Sequence, residues 1–109
     1  MEIQRINCMV GFRQKPEDQD FKLMKFFGGK EAIPASEIPI LQALNGLDCI
    51  SEVSLEDSYE TTKKDEWDRL HGKYRAEYIA MVYPSASVPL IKGLDGIELE
   101  PSQFARKTA

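Results

Sequence analysis

The segment of residues 33–47 constrains the fold most, because proline and glycine fix both ends of one short helix there. Pro39 lacks a backbone N–H and is tolerated only in a first helical turn, so the helix begins at or just before Ser36, the predicted N-cap. Asn45 and Gly46 accept the positive φ that follows a helix end, which gives about three turns. Apolar residues at a spacing of three form one stripe to be buried, namely Ile38, Leu41 and Leu44. The segment is typical of a packing element without chemistry of its own.

Two segments with alternating apolar residues predict strands, at residues 3–12 and 47–56. The first segment puts Ile6, Cys8, Val10 and Phe12 on one face, and the second does so with Leu47, Cys49, Val53 and Leu55. An aromatic run at residues 21–27 predicts the second arm of a hairpin, and the nearly continuous apolar run at residues 76–83 favours a central strand.

A second helix is predicted after Thr61 or Thr62, either of which suits an N-cap. We expect it to contain an ion pair between Asp65 and Arg69 and to end at Gly72 or continue to Tyr74. Closely spaced Pro and Gly residues after position 84 indicate a tail, residues 85–109, that wraps on the core or becomes ordered on a partner. The predicted fold is a single α+β domain over residues 1–109, with a mixed or antiparallel sheet of about four strands and two short helices.

Composition excludes several classes of function. A chain of 109 residues is long enough for one buried core, and 18 acidic against 14 basic residues argue against binding to a phosphate backbone, so we expect no nucleic acid partner. The sequence contains no apolar run of about 18 residues, and residues 1–5 do not resemble a secretory signal. We therefore expect cytoplasmic synthesis and no membrane partner.

The sequence contains no motif that identifies an activity. Two cysteines far apart and one histidine cannot form a structural zinc site, and Lys30 with its two preceding glycines lacks the rest of a phosphate-binding loop. Cys8 and Cys49 fit two buried free thiols, with a disulfide or a reactive cysteine as alternatives. His71 fits the end of a helix, with a general base or a partner contact as alternatives. We expect no cofactor, no metal and no catalytic residue.

The candidate partner contacts are two phenylalanines and four acids. Consecutive strand residues face opposite sides, so either Phe26 or Phe27 must leave the core face. Residues 48–68 contain eight acids and two lysines, which suits a basic partner or, alternatively, a solvated polar face. The acids that we expect to contact a partner are Glu56, Asp57, Glu60 and Asp65.

Loose motifs between residues 30 and 100 resemble small uncharacterised proteins of tailed bacteriophages. The residues that show the resemblance are Pro34, Ala35, Glu37, Ile38, Leu41, Gly46, Asp48, Glu66, Leu70, Tyr83, Pro84, Leu90, Gly96 and Ile97. Asn45 stands where histidine is expected, and Cys49-Ile50 stand where alanine-valine is expected. The resemblance implies a phage origin and no catalytic residues.

The leading hypothesis is therefore a non-enzymatic interaction module, a virion-associated structural protein such as a capsid-associated, decoration or head-completion protein. Its partner would be a capsid protein or further copies of itself as a homo-oligomer, and it would be incorporated in the virion. The alternative is a small acidic inhibitor of a host enzyme that acts as a charge decoy. An enzyme ranks third, since it would require ionisable groups that converge in a recess.

Overall fold

One long central strand organises the sheet in the computed structural model, which describes residues 1–15 and 17–105. This strand, β1 (Glu2–Phe12), pairs antiparallel with β2 (Leu23–Phe27), β3 (Ile33–Pro34) and β4 (Ile50–Glu60). Ile6 of β1 pairs with Ile33 and also with Leu55, so β3 and β4 lie on opposite sides of β1. Val10 pairs with both β2 and β4 in the same way. β2 and β3 therefore follow each other along one side of β1, and β4 occupies the other.

The predicted α+β fold is confirmed, and of the two predicted kinds of sheet the antiparallel one is present. The helices are α1 (Ile38–Asn45), α2 (Lys63–Lys73) and α3 (Ala76–Ala80). Gly46 ends α1 with a φ of 97°, as predicted. Thr62 is the N-cap of α2, and its hydroxyl accepts a hydrogen bond from the Asp65 amide at 3.1 Å.

The predicted start of α1 was wrong. A 3₁₀ turn at Ala35–Glu37 precedes the helix, and Ser36 lies inside that turn rather than at an N-cap. The Ser36 hydroxyl instead donates to a carboxylate oxygen of Glu66 at 2.7 Å. The Ser36 side chain thus hydrogen-bonds to a residue distant in the chain instead of capping the helix.

The prediction of a central strand at residues 76–83 was also wrong, because Ala76–Ala80 form α3 and a turn follows. Ile79 and Tyr83 are both almost fully buried, whereas Ala80 and Met81 are exposed. A spacing of four between buried residues is the periodicity of a helix. Short apolar runs fit a buried strand and a buried helix equally well. In this chain the run packs against the core as a helix.

The third predicted strand begins three residues later than expected, since Leu47–Cys49 form a 3₁₀ turn. Within β4 the register against β1 shifts twice, and Glu52 adopts a φ of 53° near one of the shifts. Leu55 pairs with the buried Ile6 but is 51% exposed, so the prediction that it lies with Val53 in the core was wrong.

In α2, the predicted ion pair between Asp65 and Arg69 is absent. Arg69 forms ion pairs with Glu66 and Glu37 instead. The helix also continues through Gly72 to Lys73, which agrees with the longer of the two predicted helices. Tyr74 is its C-cap, and the Tyr74 amide donates to the Leu70 carbonyl.

The core consists of two adjoining clusters. The first lies between the sheet and α1 and contains Ile6, Cys8, Val10, Ile33, Ile38 and Ile50, and the second joins the helices through Ile40, Leu70, Ile79, Tyr83 and Leu90. The segment after α3 runs along both clusters as far as Ala105, whose amide donates to the Val53 carbonyl at 2.9 Å. Residues 106–109 of the predicted tail lie outside the described residues.

Candidate functional site

The six predicted contact residues do not form one site. Phe26 and Phe27 lie in β2, on one side of β1, while Glu56, Asp57 and Glu60 lie in β4, on the other side. Asp65 belongs to the first turn of α2. The structure thus brings together the two phenylalanines and, separately, the three acids of β4.

Several acids of the predicted acidic surface are engaged in ion pairs. Asp57 accepts two hydrogen bonds of 2.6 Å from the Arg5 guanidinium, which holds its pKa below the ordinary value. Arg13 similarly lowers the pKa of Asp48, and Glu60 lies 3.2 Å from the N-terminal amine. Exposed pairs of this kind are worth little individually, but they reduce the charge available to a partner.

The two phenylalanines separate as strand geometry requires. The Phe27 ring packs against the first core cluster, at 6.4 Å from the Phe12 ring in an edge-to-face arrangement. The Phe26 side chain is 52% exposed on the opposite face. The prediction that one ring must leave the core face is confirmed.

β2 has one free edge. Among the described residues, its only strand partner is β1, so its other side presents unpaired backbone amides and carbonyls. Leu23, Met24 and Phe26 are all more than half exposed, although the strand has only five residues. Exposed apolar edge strands are sites where another chain can add, and proteins normally protect them.

A buried polar cluster is the feature that sequence reasoning missed. Glu66 is only 1% exposed, and its carboxylate accepts hydrogen bonds from the hydroxyls of Ser36 and Tyr59 and from the Arg69 guanidinium. Burial raises the pKa of Glu66, but these three donors outweigh it and leave the pKa below its usual value. Glu66 therefore stays ionised inside the protein.

Glu37 is a second carboxylate with 1% exposure, and it shares Arg69 with Glu66. One Glu37 oxygen accepts from Arg69 at 2.6 Å, and the other accepts from the Tyr74 hydroxyl at 2.8 Å and lies 2.9 Å from the Lys73 ammonium in an ion pair. Burial lowers the pKa of Arg69, but the two carboxylates outweigh that effect and raise it. Two glutamates, one arginine and one lysine thus compensate one another in charge.

This cluster has little capacity for acid–base chemistry. A general acid or base needs a pKa near the working pH, whereas Arg69 keeps Glu66 ionised and burial raises the pKa of the hydroxyls of Tyr59 and Tyr74. Each carboxylate is already occupied by several donors. The arrangement supplies a fixed anion rather than a proton donor or acceptor.

A cavity of about 220 Å³ adjoins the cluster at Glu37. Its walls are mainly apolar and aromatic, and its other lining residues are Phe12, Phe27, Glu31, Ala32, Ile33, Leu41, Lys73 and Tyr74. The Lys25 ammonium lies 5.1 Å from the centre of the Phe27 ring, and the Lys73 ammonium lies 5.9 Å from that of Tyr74. The chain's own lysines therefore approach the aromatic walls on two sides.

The remaining candidates for chemistry occupy structural positions. Cys8 and Cys49 are free and buried, as predicted, and burial raises the pKa of each thiol to about 12. The His71 ring is exposed, lies 4.8 Å from the Trp67 ring at an interplanar angle of 44°, and is within hydrogen-bond distance of the Trp67 carbonyl. Residues 1–15 and 17–105 contain no group of three or more His, Cys, Asp or Glu side chains arranged to hold a metal ion.

Comparison with known proteins finds no relative of this chain. No protein-family model matches this chain, and neither a curated protein nor a solved structure matches it significantly. In the part of the chain that the structure describes, none of the helices has the length and apolar character needed to cross a membrane.

Proposed function

We propose that this chain is a non-enzymatic protein–protein interaction module that binds an extended segment of a partner at the free edge of β2. The single observation that supports this most strongly is the five-residue edge strand with three large apolar side chains more than half exposed. Strand addition uses main-chain hydrogen bonds for affinity and alternate side chains for specificity.

The two edges of the sheet differ in how they are protected. On β4, Val53 forms a parallel bridge with Phe104, and the Ala105 amide donates to the Val53 carbonyl, so the chain's own tail covers part of that edge. No described segment covers β2 in this way. β2 is therefore the edge at which an added strand meets least competition.

The side chains of β2 define the partner. Met24 and Phe26 lie on the outer face, and Lys25 lies on the other face, since Lys25 pairs with Val10 of the core face. Opposite charges on neighbouring strands attract, and like charges directly opposite repel. The matching segment thus alternates apolar residues, beside Met24 and Phe26, with acids beside Lys25. Antiparallel pairing of two copies centred on Lys25 would place the two ammonium groups opposite each other, which disfavours self-pairing in that register.

The test is an NMR titration of the ¹⁵N-labelled protein with a blocked heptapeptide that alternates valine with glutamate. We expect saturable shifts of the amides of β2 and of the adjoining loops. The matched control is the same peptide with lysine in place of glutamate, which should bind more weakly. Absence of saturable shifts, or shifts confined to β4, would refute the proposal.

Within this class, the resemblance over residues 30–100 supports a virion-associated structural protein of a phage, with a capsid protein as the partner. The test is mass spectrometry of purified virions, in which this chain should be present in stoichiometric amounts. Its absence from virions would remove this narrower proposal and leave the interaction module intact.

The charge decoy stays a prediction that ranks second, because ion pairs engage Asp57 and Glu60. It predicts binding to a basic enzyme that weakens steeply with salt and upon charge reversal at Glu56 or Asp65.

A further inference from the structure

We propose that the cavity beside Glu37 binds a small organic cation, an ammonium group on a short apolar stem. The cavity combines a fixed carboxylate, which suits the ammonium group, with an apolar, aromatic wall, which suits the stem. Its volume of about 220 Å³ suits a stem of a few carbon atoms. The inference concerns a different surface from the free edge of β2 and goes beyond the proposed interaction module.

The carboxylate in this cavity is buried and ion-paired. Glu37 is 1% exposed, and Arg69 already occupies one of its two oxygens at 2.6 Å. The other oxygen accepts from the Tyr74 hydroxyl and forms an ion pair with Lys73. Hydrogen bonds to a charged group are stronger than neutral ones, so a second ammonium placed here would be held firmly.

Lys73 is the replaceable partner. Its side chain is 57% exposed, in contrast to the buried Glu37 with which it pairs, and it lies at the C-terminal end of α2. Release of Lys73 into water costs little, because an exposed lysine regains its hydration and its rotamer freedom. Without Lys73, the two glutamates and Arg69 have a net negative charge, and Glu31 at the cavity wall adds to it. A ligand cation that replaces the Lys73 ammonium therefore leaves the net charge of the site unchanged.

The walls favour the same ligand. The rings of Phe12, Phe27 and Tyr74 line the cavity, and aromatic faces attract ammonium groups through their negative potential. Lys25 lies above the Phe27 ring in this way. The apolar stem of the ligand would contact Ile33 and Leu41, which are both buried.

The test uses NMR titrations of the ¹⁵N-labelled protein with n-butylammonium chloride, with n-butanol as the neutral ligand of similar shape. We expect saturable shifts near Phe27, Glu37 and Tyr74 with n-butylammonium and none with n-butanol. A third probe, lysine blocked at both its amino and carboxyl groups, separates two sources of the cation. Tighter binding of blocked lysine assigns the cavity to a partner's lysine side chain, and tighter binding of butylammonium assigns it to a free amine.

Three variants make the test specific. Lys73→Met removes the internal competitor and should tighten binding about two- to fivefold, as expected from an ion pair whose lysine is more than half exposed. Lys64→Met, on the exposed face of the same helix, removes a lysine that pairs with Asp68 and should leave binding unchanged. Glu37→Gln should weaken binding at least about tenfold.

The proposal does not depend on Glu37→Gln folding, since Lys73→Met predicts a gain of affinity in a folded protein. Equal binding of n-butanol, no saturable shift with either cation, or an unchanged affinity in Lys73→Met would each overturn it.

Discussion

At the scale of single residues, the protein depends on one arginine that neutralises two buried carboxylates. Arg69 contacts Glu66, three positions before it in α2, and Glu37, which is 32 positions away in the chain. An ionised carboxylate is stable in the interior only when it is paired and hydrogen-bonded. Both glutamates meet this condition through Arg69, two tyrosine hydroxyls, Lys73 and Ser36.

Replacement of Arg69 by methionine should be among the most destabilising single changes. It leaves two buried carboxylates without their shared cation, and loss of one partner from a buried ion pair costs about 3–5 kcal/mol. The measurement is urea unfolding followed by circular dichroism. The matched control is the triple variant Glu37→Gln, Glu66→Gln, Arg69→Met, which removes the charges together and should be less destabilised than the single variant. A triple variant that is less stable than Arg69→Met would contradict this explanation.

The same cluster predicts how stability depends on pH. The pKa of Glu66 in the folded state is lowered from 4.5, so the unfolded chain binds more protons as the pH falls through that range. The stabilisation is therefore complete above the unfolded pKa and is lost as the pH falls through the folded one. We expect the free energy of unfolding to decrease below about pH 4.5 and this decrease to be shallower in Glu66→Gln. An equally steep decrease in both proteins, measured by urea unfolding across pH 3–7, would assign it to other groups.

At the scale of elements, local chemistry determined some boundaries and tertiary contacts determined others. Gly46 and Thr62 were predictable because each satisfies a backbone requirement of its own helix end. Ser36 was not, because its hydroxyl is used by Glu66 of another helix. The apolar run at residues 76–83 predicts a strand where α3 forms, because a short apolar run fits both structures, and the bulge at Glu52 has no signal in the residue pattern. The cluster around Arg69 could not be predicted, because it needs the 3₁₀ turn at Ala35–Glu37 to pack against α2.

Two glycine substitutions compare a glycine that ends a helix, Gly46, with one inside a helix, Gly72. Gly46→Ala forces a φ of 97° on alanine and places a new Cβ 2.7 Å from the Arg13 guanidinium, so we expect destabilisation of more than about 1 kcal/mol. Gly72→Ala lies within α2 with no heavy atom within 4 Å of the new Cβ, and it should stabilise by about 0.5–1 kcal/mol. The measurement is thermal unfolding of both variants beside the parent. A Gly46→Ala variant as stable as the parent would show that the end of α1 does not depend on glycine.

At the scale of the whole molecule, the two edges of one sheet have opposite character. The edge at β2 is apolar and basic, and it lacks a strand partner among the described residues. The edge at β4 is acidic and partly covered by Phe104 and Ala105. The sequence alone predicts β1, β2 and β4 and an exposed phenylalanine in β2, but the free edge follows only from the order of strands around β1. An interaction surface is the role that this asymmetry supports best.

The most direct test of strand addition at β2 is the ratio of affinities for two peptides, measured in the parent protein and in Lys25→Glu. The peptides are the blocked heptapeptides that alternate valine with glutamate or with lysine, and NMR titration or calorimetry gives each affinity. We predict that the parent prefers the glutamate peptide by about two- to fivefold, and that Lys25→Glu reverses the preference. The same ratio in both proteins, or a preference that changes instead with Glu56→Lys in β4, would contradict docking at this edge.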